Sequence, residues 1–396
     1  MYSKRVTAAQ EHDRILDAFE DALSEAADQL ADVRVPAHDL EKQIAKFKTL
    51  MNWLFDGGWV RWGWPEAVGG LGGSSILRCE ILERLALRGY EIPYHLQVLE
   101  VVGPAVVNHA PQLASTVLPD ALRGDELWCQ GFSEPEAGSD LAALRTKATH
   151  RDDGSFLVNG QKIWTSYGAH ADRMVLLART GPVTDRHHGL VMLLVDLDAP
   201  GIECRPIALA SGREELAEFF FTDVVVDPDR LIGEVGGGWS VAMDLLQYER
   251  GSYAWMRMAM ASHRLQEAMR TTDMNAWAVD SDPLAGSVVG QAYLNVAALR
   301  ARTSSTLRRL CAHEVVGEQT SVDKLLLSTA EQDVLDASVT LLDGKMLFAD
   351  DPCGQRWRDD WWYSRAASIY GGAREIQRSI IADRILKLPK EGVGGR

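Results

Sequence analysis

A change of hydrophobic period constrains this chain most. The spacing is helical at both ends and alternates in the middle of its 396 residues. From about residue 8 to 125 the pattern is helical. His12 to Leu30 places Ile15, Leu16, Phe19, Leu23, Ala26 and Leu30 on one helix face, and Ser75 to Leu87 and Tyr94 to Asn108 read the same way. From about 126 to 235 the period is two. Phe156 and Val158 alternate ahead of Asn159-Gly160, which predicts a hairpin turn there. Strands are also predicted over Lys162 to Ser166, Arg173 to Ala178, Leu190 to Asp196, Glu218 to Val226 and Arg230 to Ile232. Turn residues such as Asp198-Ala-Pro-Gly and Asp227-Pro-Asp separate them, so a small antiparallel barrel or sandwich is expected. After Trp239, long apolar stripes over Ser240 to Met269, Val288 to Leu310, Ser321 to Leu342 and Arg374 to Leu386 predict a four-helix bundle. The expected domains are an N-terminal α-helical domain (1–125), a middle β-domain (126–235) and a C-terminal helical bundle (236–396), ending in a frayed tail, EGVGGR.

Several function classes are disfavoured by the same sequence. A net charge of −15 does not suit nucleic acid or an anionic membrane surface. The longest apolar runs, such as Gly189 to Leu197, are too short to span a bilayer, and the N-terminus carries no apolar signal segment. Five scattered cysteines without a CxxC pair argue for reduced thiols in a cytoplasmic protein, with no metal site. The twelve tryptophans read mostly as packing residues. The glycine-rich stretch WGWPEAVGGLGGSS lacks the preceding strand that a dinucleotide-binding loop needs.

Four segments carry chemical potential, each with an ordinary structural alternative. In WCQGFSEPEAGSDLAALRTKA (128–148) a strand enters a turn of small residues. Ser133, Gly138 and Ser139 there could bring hydroxyls and N–H groups to a polar or anionic ligand, or the segment is a plain loop. In NGQKIWTSYGAHADR (159–173) an indole beside two hydroxyls could cover a flat ring and bond its edge, or Trp164 is a core residue at a strand end. GWSVAMDLLQYERGS (238–252) sets Glu249 and Arg250 in a mostly apolar helix. A carboxylate there is costly to bury, which is what a poised general base requires, though such a glutamate is more often exposed or salt-bridged. In SIYGGAREIQRSIIADRILKLP (368–389) a Gly-Gly turn precedes a helix whose first turn holds Arg374 and Glu375. That helix start can offer N–H donors to an oxygen or a phosphate, or it is a plain helix start.

Together, in this order and spacing, the four segments closely resemble the acyl-CoA dehydrogenase family over nearly the whole chain, with SEPEAGSD, KIWTS and YGGAREIQ as the most specific motifs. The resemblance implies an N-terminal helical domain, a middle β-barrel or sandwich, a C-terminal four-helix bundle, and FAD held between the last two without a Rossmann fold. It implies α,β-dehydrogenation of an acyl-CoA thioester, with an electron-transferring flavoprotein taking the electrons and a homo- or heterotetramer completing the FAD site. By motif match, Gln130, Phe132, Ser133, Gly138 and Ser139 would lie along the flavin, Trp164, Thr165 and Ser166 would cover its ring, and Ala373 and Glu375 would complete the cofactor contacts.

Many members of the family carry a catalytic glutamate directly after the tyrosine of the C-terminal signature, where this chain has Gly371. Others carry it on the first bundle helix, directly before an arginine, and here that pair is Glu249-Arg250. The resemblance therefore assigns the base to Glu249 beside Arg250. Gly371 would offer its N–H to the thioester carbonyl and leave room for a bulky, branched or ring-bearing acyl group, as in fatty acid or steroid side-chain metabolism. Two departures stand out. Ala373 replaces the usual threonine, and the arginine expected early in the second bundle helix is missing from Asp282 to Gln291. Two rival readings remain: a non-catalytic partner subunit of a heteromeric complex, and a flavin oxidase or monooxygenase on the same fold.

Overall fold

The computed structural model describes residues 2–271, 283–342 and 352–389. Asp282 and the tail EGVGGR lie outside them. The chain divides into two compact units, Met1–Tyr248 and Glu249–Arg396.

The first unit begins with helices α1 (Tyr2–Glu25), α2 (Ala31–Arg34), α3 (Leu40–Asp56), α4 (Ser75–Leu87), α5 (Tyr94–His109) and α6 (Pro111–Arg123). Of the stripe expected over His12 to Leu30, Leu16, Phe19, Leu23, Ala26 and Leu30 are buried, but α1 stops at Glu25 and Ala26 to Leu30 form turns. The periodicity reading did not predict α3 and α6, but local signals mark both. Asp39 caps α3 by accepting the Lys42 N–H at 2.9 Å. Pro111 opens α6, and Gly124 closes it with φ of 95°.

The glycine-rich stretch ahead of α4 is a loop pinned by one buried ion pair. Arg78 on α4 meets Glu100 on α5 in a two-pronged contact, with Nη2 at 2.8 Å from Oε2. The Arg78 guanidinium also donates to the Trp62 carbonyl and lies 4.6 Å over the Trp64 ring. Trp64 in turn packs on Gly103 of α5, where a Cβ would strike its ring.

The middle of the chain forms one eight-stranded sheet in the order β6-β7-β3-β2-β4-β5-β8, with β1 on β4. The strands are β1 (Trp128–Gly131), β2 (Lys147–His150), β3 (Phe156–Ser166), β4 (Arg173–Arg179), β5 (Leu190–Asp196), β6 (Ile202–Ile207), β7 (Leu216–Val226) and β8 (Leu231–Ile232). Most pairs are antiparallel, as expected, but β1–β4 and β2–β4 are parallel. The inward positions form a continuous core that includes Cys129, Phe156, Val158, Leu176, Leu193 and Phe219. Strands β2 and β6 had no clear signature in the sequence. Only Ala148 of β2 is buried, and β6 is an edge strand with no buried residue.

The predicted turn at Asn159-Gly160 is not a turn. Strand β3 runs straight through it, and the chain reverses earlier, where Arg151 N–H bonds the Ser155 carbonyl at 2.9 Å and Gly154 has φ of 86°. Gly160, with φ of 151°, sits at a register irregularity against β7, and a Cβ there would come 2.6 Å from Thr146 Cα. Asn159 exchanges two hydrogen bonds with Asp223 across the same irregularity. The Asn-Gly pair therefore builds a bulge.

Helix α7 (Gly238–Glu249) ends the first unit, and its last residue opens the second. The second unit continues with α8 (Ser252–Thr271), α9 (Pro283–Cys311), α10 (Thr320–Leu341), α11 (Pro352–Arg365) and α12 (Arg374–Ile380), the last passing into a wider π turn over Ile381–Ile385. The single helix predicted over Ser240 to Met269 is thus two helices, broken at Arg250 and Gly251. Glycine is a poor helix former, and the break falls directly after the candidate base. Among the described residues, no helix is long and apolar enough to cross a membrane.

Arg78→Met should destabilise the first unit by about 3 to 5 kcal/mol, because it strands a buried carboxylate. The double variant Arg78→Met/Glu100→Leu should regain much of that loss. Denaturant unfolding of both variants checks the pair.

Candidate functional site

Two groups of side chains carry the predicted chemistry, one in each unit. In the first unit, the 130–139 segment follows β1 and the 164–166 segment ends β3. The two are tied together by a lysine with no solvent exposure. Lys162 Nζ donates to Glu134 Oε1 at 2.7 Å and to the Phe132 carbonyl at 3.0 Å. The second Glu134 oxygen accepts the Arg145 N–H at 2.6 Å, and the first also accepts the Thr146 N–H at 2.9 Å. Ile163 N–H bonds the Ser133 carbonyl at 3.0 Å.

Burial alone would raise the Glu134 carboxyl, but Lys162 and the N–H donors hold it below the ordinary glutamate range. Burial pushes Lys162 down to about 8, with Glu134 opposing the fall. The pair is therefore charged at neutral pH, and both ions have their hydrogen bonds satisfied.

This clamp holds the candidate cofactor residues. Phe132 is buried, Gln130 and Ser133 are partly buried, and Gly138 and Ser139 are exposed. A Cβ at Gly138 would touch nothing, so that turn is open. Trp164 has φ of 64° and is 56% exposed, at a second irregularity of β3 between Lys162 and Thr165. A bulky residue in the left-handed region, with its indole in solvent, is strained for no packing gain, which marks it as a contact surface. Next to it, Thr165 Oγ1 is buried without a hydrogen-bond partner among the described residues. Ser166 is partly buried at the strand end.

In the second unit, Glu249 ends α7 and comes up against the turn at Gly371. Its Oε1 occupies the place where a Cβ on Gly371 would lie. Gly371 has φ of 60° and Gly372 φ of 105°, both conformations that favour glycine. The Glu249 carboxyl is raised, first by burial, with Arg250 and Lys324 acting against the rise. Its place at a helix C-terminus, where the backbone carbonyls end, also disfavours the anion.

Arg250 turns toward Gly372, its Nη2 3.6 Å from the position of a Cβ there, and its Nε is buried without a partner among the described residues. Ala373 precedes α12 as its N-cap and makes no side-chain cap bond. Arg374 Nη2 donates to the Gln332 side-chain Oε1 at 3.1 Å, while Glu375 is exposed in the first turn.

The structure thus brings Glu249, Arg250 and Gly371 together, and it ties Phe132 and Ser133 to Lys162 and Ile163 of the strand that carries Trp164, Thr165 and Ser166, while Gln130 pairs with Val175 of β4. It adds residues that the sequence reading did not single out. Lys162 shares the even-numbered inward face of Phe156 and Val158, and Lys324 and Glu331 lie on the buried stripe of α10. Periodicity alone flags all three as charges on core-facing positions. Two surface cavities of the first unit, of about 220 and 750 Å³, are lined by none of the candidate residues.

The fold and these segments define the class. The family model for the acyl-CoA dehydrogenase middle domain matches residues 129–224, and that for its C-terminal domain matches 236–386. The chain belongs to the acyl-CoA dehydrogenase family and is an oxidoreductase of that class. It is 35% identical to the acyl-CoA dehydrogenase IpdE1 of Mycobacterium tuberculosis, over 84% of this chain and 85% of that protein. It is 26% identical to the cyclohexane-1-carbonyl-CoA dehydrogenase of Geobacter metallireducens, over 85% of this chain and 89% of that one. The fold is shared with the Tcur3481-Tcur3483 steroid acyl-CoA dehydrogenase at a TM-score of 0.78 and 24% identity, over 98% of both chains.

Gly371→Ala should force the Glu249 carboxylate aside and strain the turn, at a cost of about 1 to 3 kcal/mol. Thermal unfolding reads the cost. Lys162→Met should cost more, about 3 to 5 kcal/mol, because it leaves Glu134 buried and unpaired. A melting temperature equal to the parent's would show that the clamp is not needed.

Proposed function

We propose that this chain is an FAD-dependent dehydrogenase for a bulky, branched or ring-bearing acyl-CoA, and that Glu249 removes the substrate's α-proton. The observation that carries this is the carboxylate of Glu249 lying in the space left by the missing side chain of Gly371. Both base positions of the family converge on one spot, and this chain fills it from α7. A raised carboxyl there suits proton abstraction near neutral pH, where an ordinary glutamate is too weak a base. The Gly371 N–H would donate to the thioester carbonyl, stabilising the charge that develops on its oxygen as the proton leaves.

The residues present fit a flat, polar-edged group. Trp164 offers an exposed indole, Thr165 an unsatisfied hydroxyl, and the turn at Gly138 an open approach. In the first unit, Gln130, Phe132, Ser133, Gly138, Ser139, Trp164, Thr165 and Ser166 would hold FAD, and in the second unit Ala373 and Glu375 are the proposed cofactor contacts. When bound, FAD supplies the acceptor for the β-hydride. The protein's own part is to keep the ring platform and the base rigid, which the Lys162–Glu134 clamp and the Gly371 turn do. An electron-transferring flavoprotein would then take the electrons.

The ring-bearing substrate class is supported by the cyclohexane-1-carbonyl-CoA named for one relative. The domain division 1–125, 126–235 and 236–396 is supported by strands that begin at Trp128 and end at Ile232. A second reading, a partner subunit without its own chemistry, is favoured by Ala373, which brings no hydroxyl to the turn before α12. Either a homo- or a heterotetramer fits these readings.

Anaerobic titration with straight, branched and ring-bearing acyl-CoAs tests the proposal. The flavin absorbance should bleach with the ring-bearing class, and Glu249→Gln should slow bleaching by about 10²- to 10⁴-fold while leaving acyl-CoA binding in place. Unslowed bleaching by Glu249→Gln would remove Glu249 as the base. A flavin-free protein would favour the partner-subunit reading.

A further inference from the structure

Behind the candidate base stands a buried cation that the reaction as described above does not use. Lys324, on α10, is 4% exposed. Its Nζ donates to the Ala367 carbonyl at 2.8 Å and rests 3.9 Å from the centre of the Tyr370 ring. Its Cε lies 3.6 Å from the position that a Cβ on Gly371 would take, the position occupied from the other side by Glu249 Oε1. The turn from Ala367 to Gly371 is therefore gripped by the ammonium end of Lys324 and abutted by the carboxyl end of Glu249.

The supports of Lys324 are themselves fixed. Tyr370 donates its hydroxyl to Glu331 Oε2 at 3.0 Å, and Glu331 also pairs with Arg257 of α8. Arg257 lies 5.2 Å from the Tyr363 ring centre and 6.0 Å from that of Tyr253. The chain Arg257, Glu331, Tyr370, Lys324 thus leads from the middle of the bundle to the candidate base. An ammonium held this way has no freedom to swing to solvent. It is costly to bury unless an anion shares the site.

We propose that Lys324 is a positioning residue for Glu249: its ammonium, seated on the Ala367 carbonyl and the Tyr370 ring, favours the anionic form of the Glu249 carboxyl and directs it across Gly371. This rests on the reading of Glu249 as the base. Among the described residues, Arg250 follows the carboxyl in the chain and Lys324 of α10 stands at the same Gly371 position, while Glu331, Arg257, Tyr253, Tyr363 and Tyr370 belong to the network around Lys324. Arg257 is neutralised by Glu331, so Arg250 and Lys324 are the cations that oppose the effect of burial on Glu249. Arg250 points to Gly372, whereas Lys324 grips the turn that Glu249 touches.

The sign follows directly. Removing the Lys324 charge disfavours the Glu249 anion, so the carboxyl keeps its proton to higher pH and the base is available over a narrower range. Infrared titration of the purified holoprotein reads this without turnover, using the protonated-carboxyl band that is lost in Glu249→Gln. The midpoint of that band should move to higher pH in Lys324→Gln and stay near the parent value in Lys324→Arg.

Tyr370→Leu, which keeps the lysine but removes its seat, should move the midpoint the same way by less. It serves if Lys324→Gln does not fold. An unmoved midpoint in a folded variant of either kind would overturn the proposal and leave Arg250 as the cation that sets the carboxyl. The bleaching rate of Glu249→Gln separates the two ideas. If it equals the parent rate, the base reading falls and Lys324 loses its role with it. If bleaching is lost in Glu249→Gln while Lys324→Gln keeps the parent midpoint, only the Lys324 proposal falls.

Discussion

A lysine with no access to water keeps its charge only if the protein replaces its hydration, and at Lys162 an anion and a carbonyl do so. The first unit's candidate cofactor surface depends on this contact. Glu134 belongs to a turn rich in small residues with little packing of its own, and Lys162 belongs to the strand that presents Trp164. Because both ions are hydrogen-bonded, neither gains by leaving, and together with the Ile163 N–H on the Ser133 carbonyl they fix the turn to the strand.

The second unit relies on absences of side chains as much as on contacts. Arg250 and Gly251 break the helix directly after Glu249, so Glu249 projects from a helix end and not from a continuous flank. Gly371 then leaves the volume into which the carboxylate fits. A Cβ at 371 would displace the Glu249 carboxylate from that volume.

Electrostatics in the two units run in opposite directions. At Glu134 the partners outweigh burial and the carboxyl is held low, as suits a structural ion. At Glu249 burial outweighs the neighbouring cations and the carboxyl is held high, as suits the role proposed for it. The difference comes from hydrogen bonds. Glu134 accepts from two backbone N–H groups and an ammonium, whereas the cations beside Glu249 act at longer range.

The sequence by itself determined the order of helices, strands and helices, most strand positions, and the four segments of chemical interest, because periodicity and motif are local properties of the chain. It also holds local signals that the fold overrides. Asn159-Gly160 is a strong hairpin pair in isolation, yet β3 continues because β7 supplies a partner on the far side and Thr146 crowds Gly160. Only the tertiary structure decided that Glu134 meets Lys162, that Glu249 fills the space at Gly371, and that Lys324 stands behind that turn. These contacts join residues from 28 to more than a hundred positions apart, as in Lys162 with Glu134. Their existence depends on strand register and helix packing, which no window of the sequence contains.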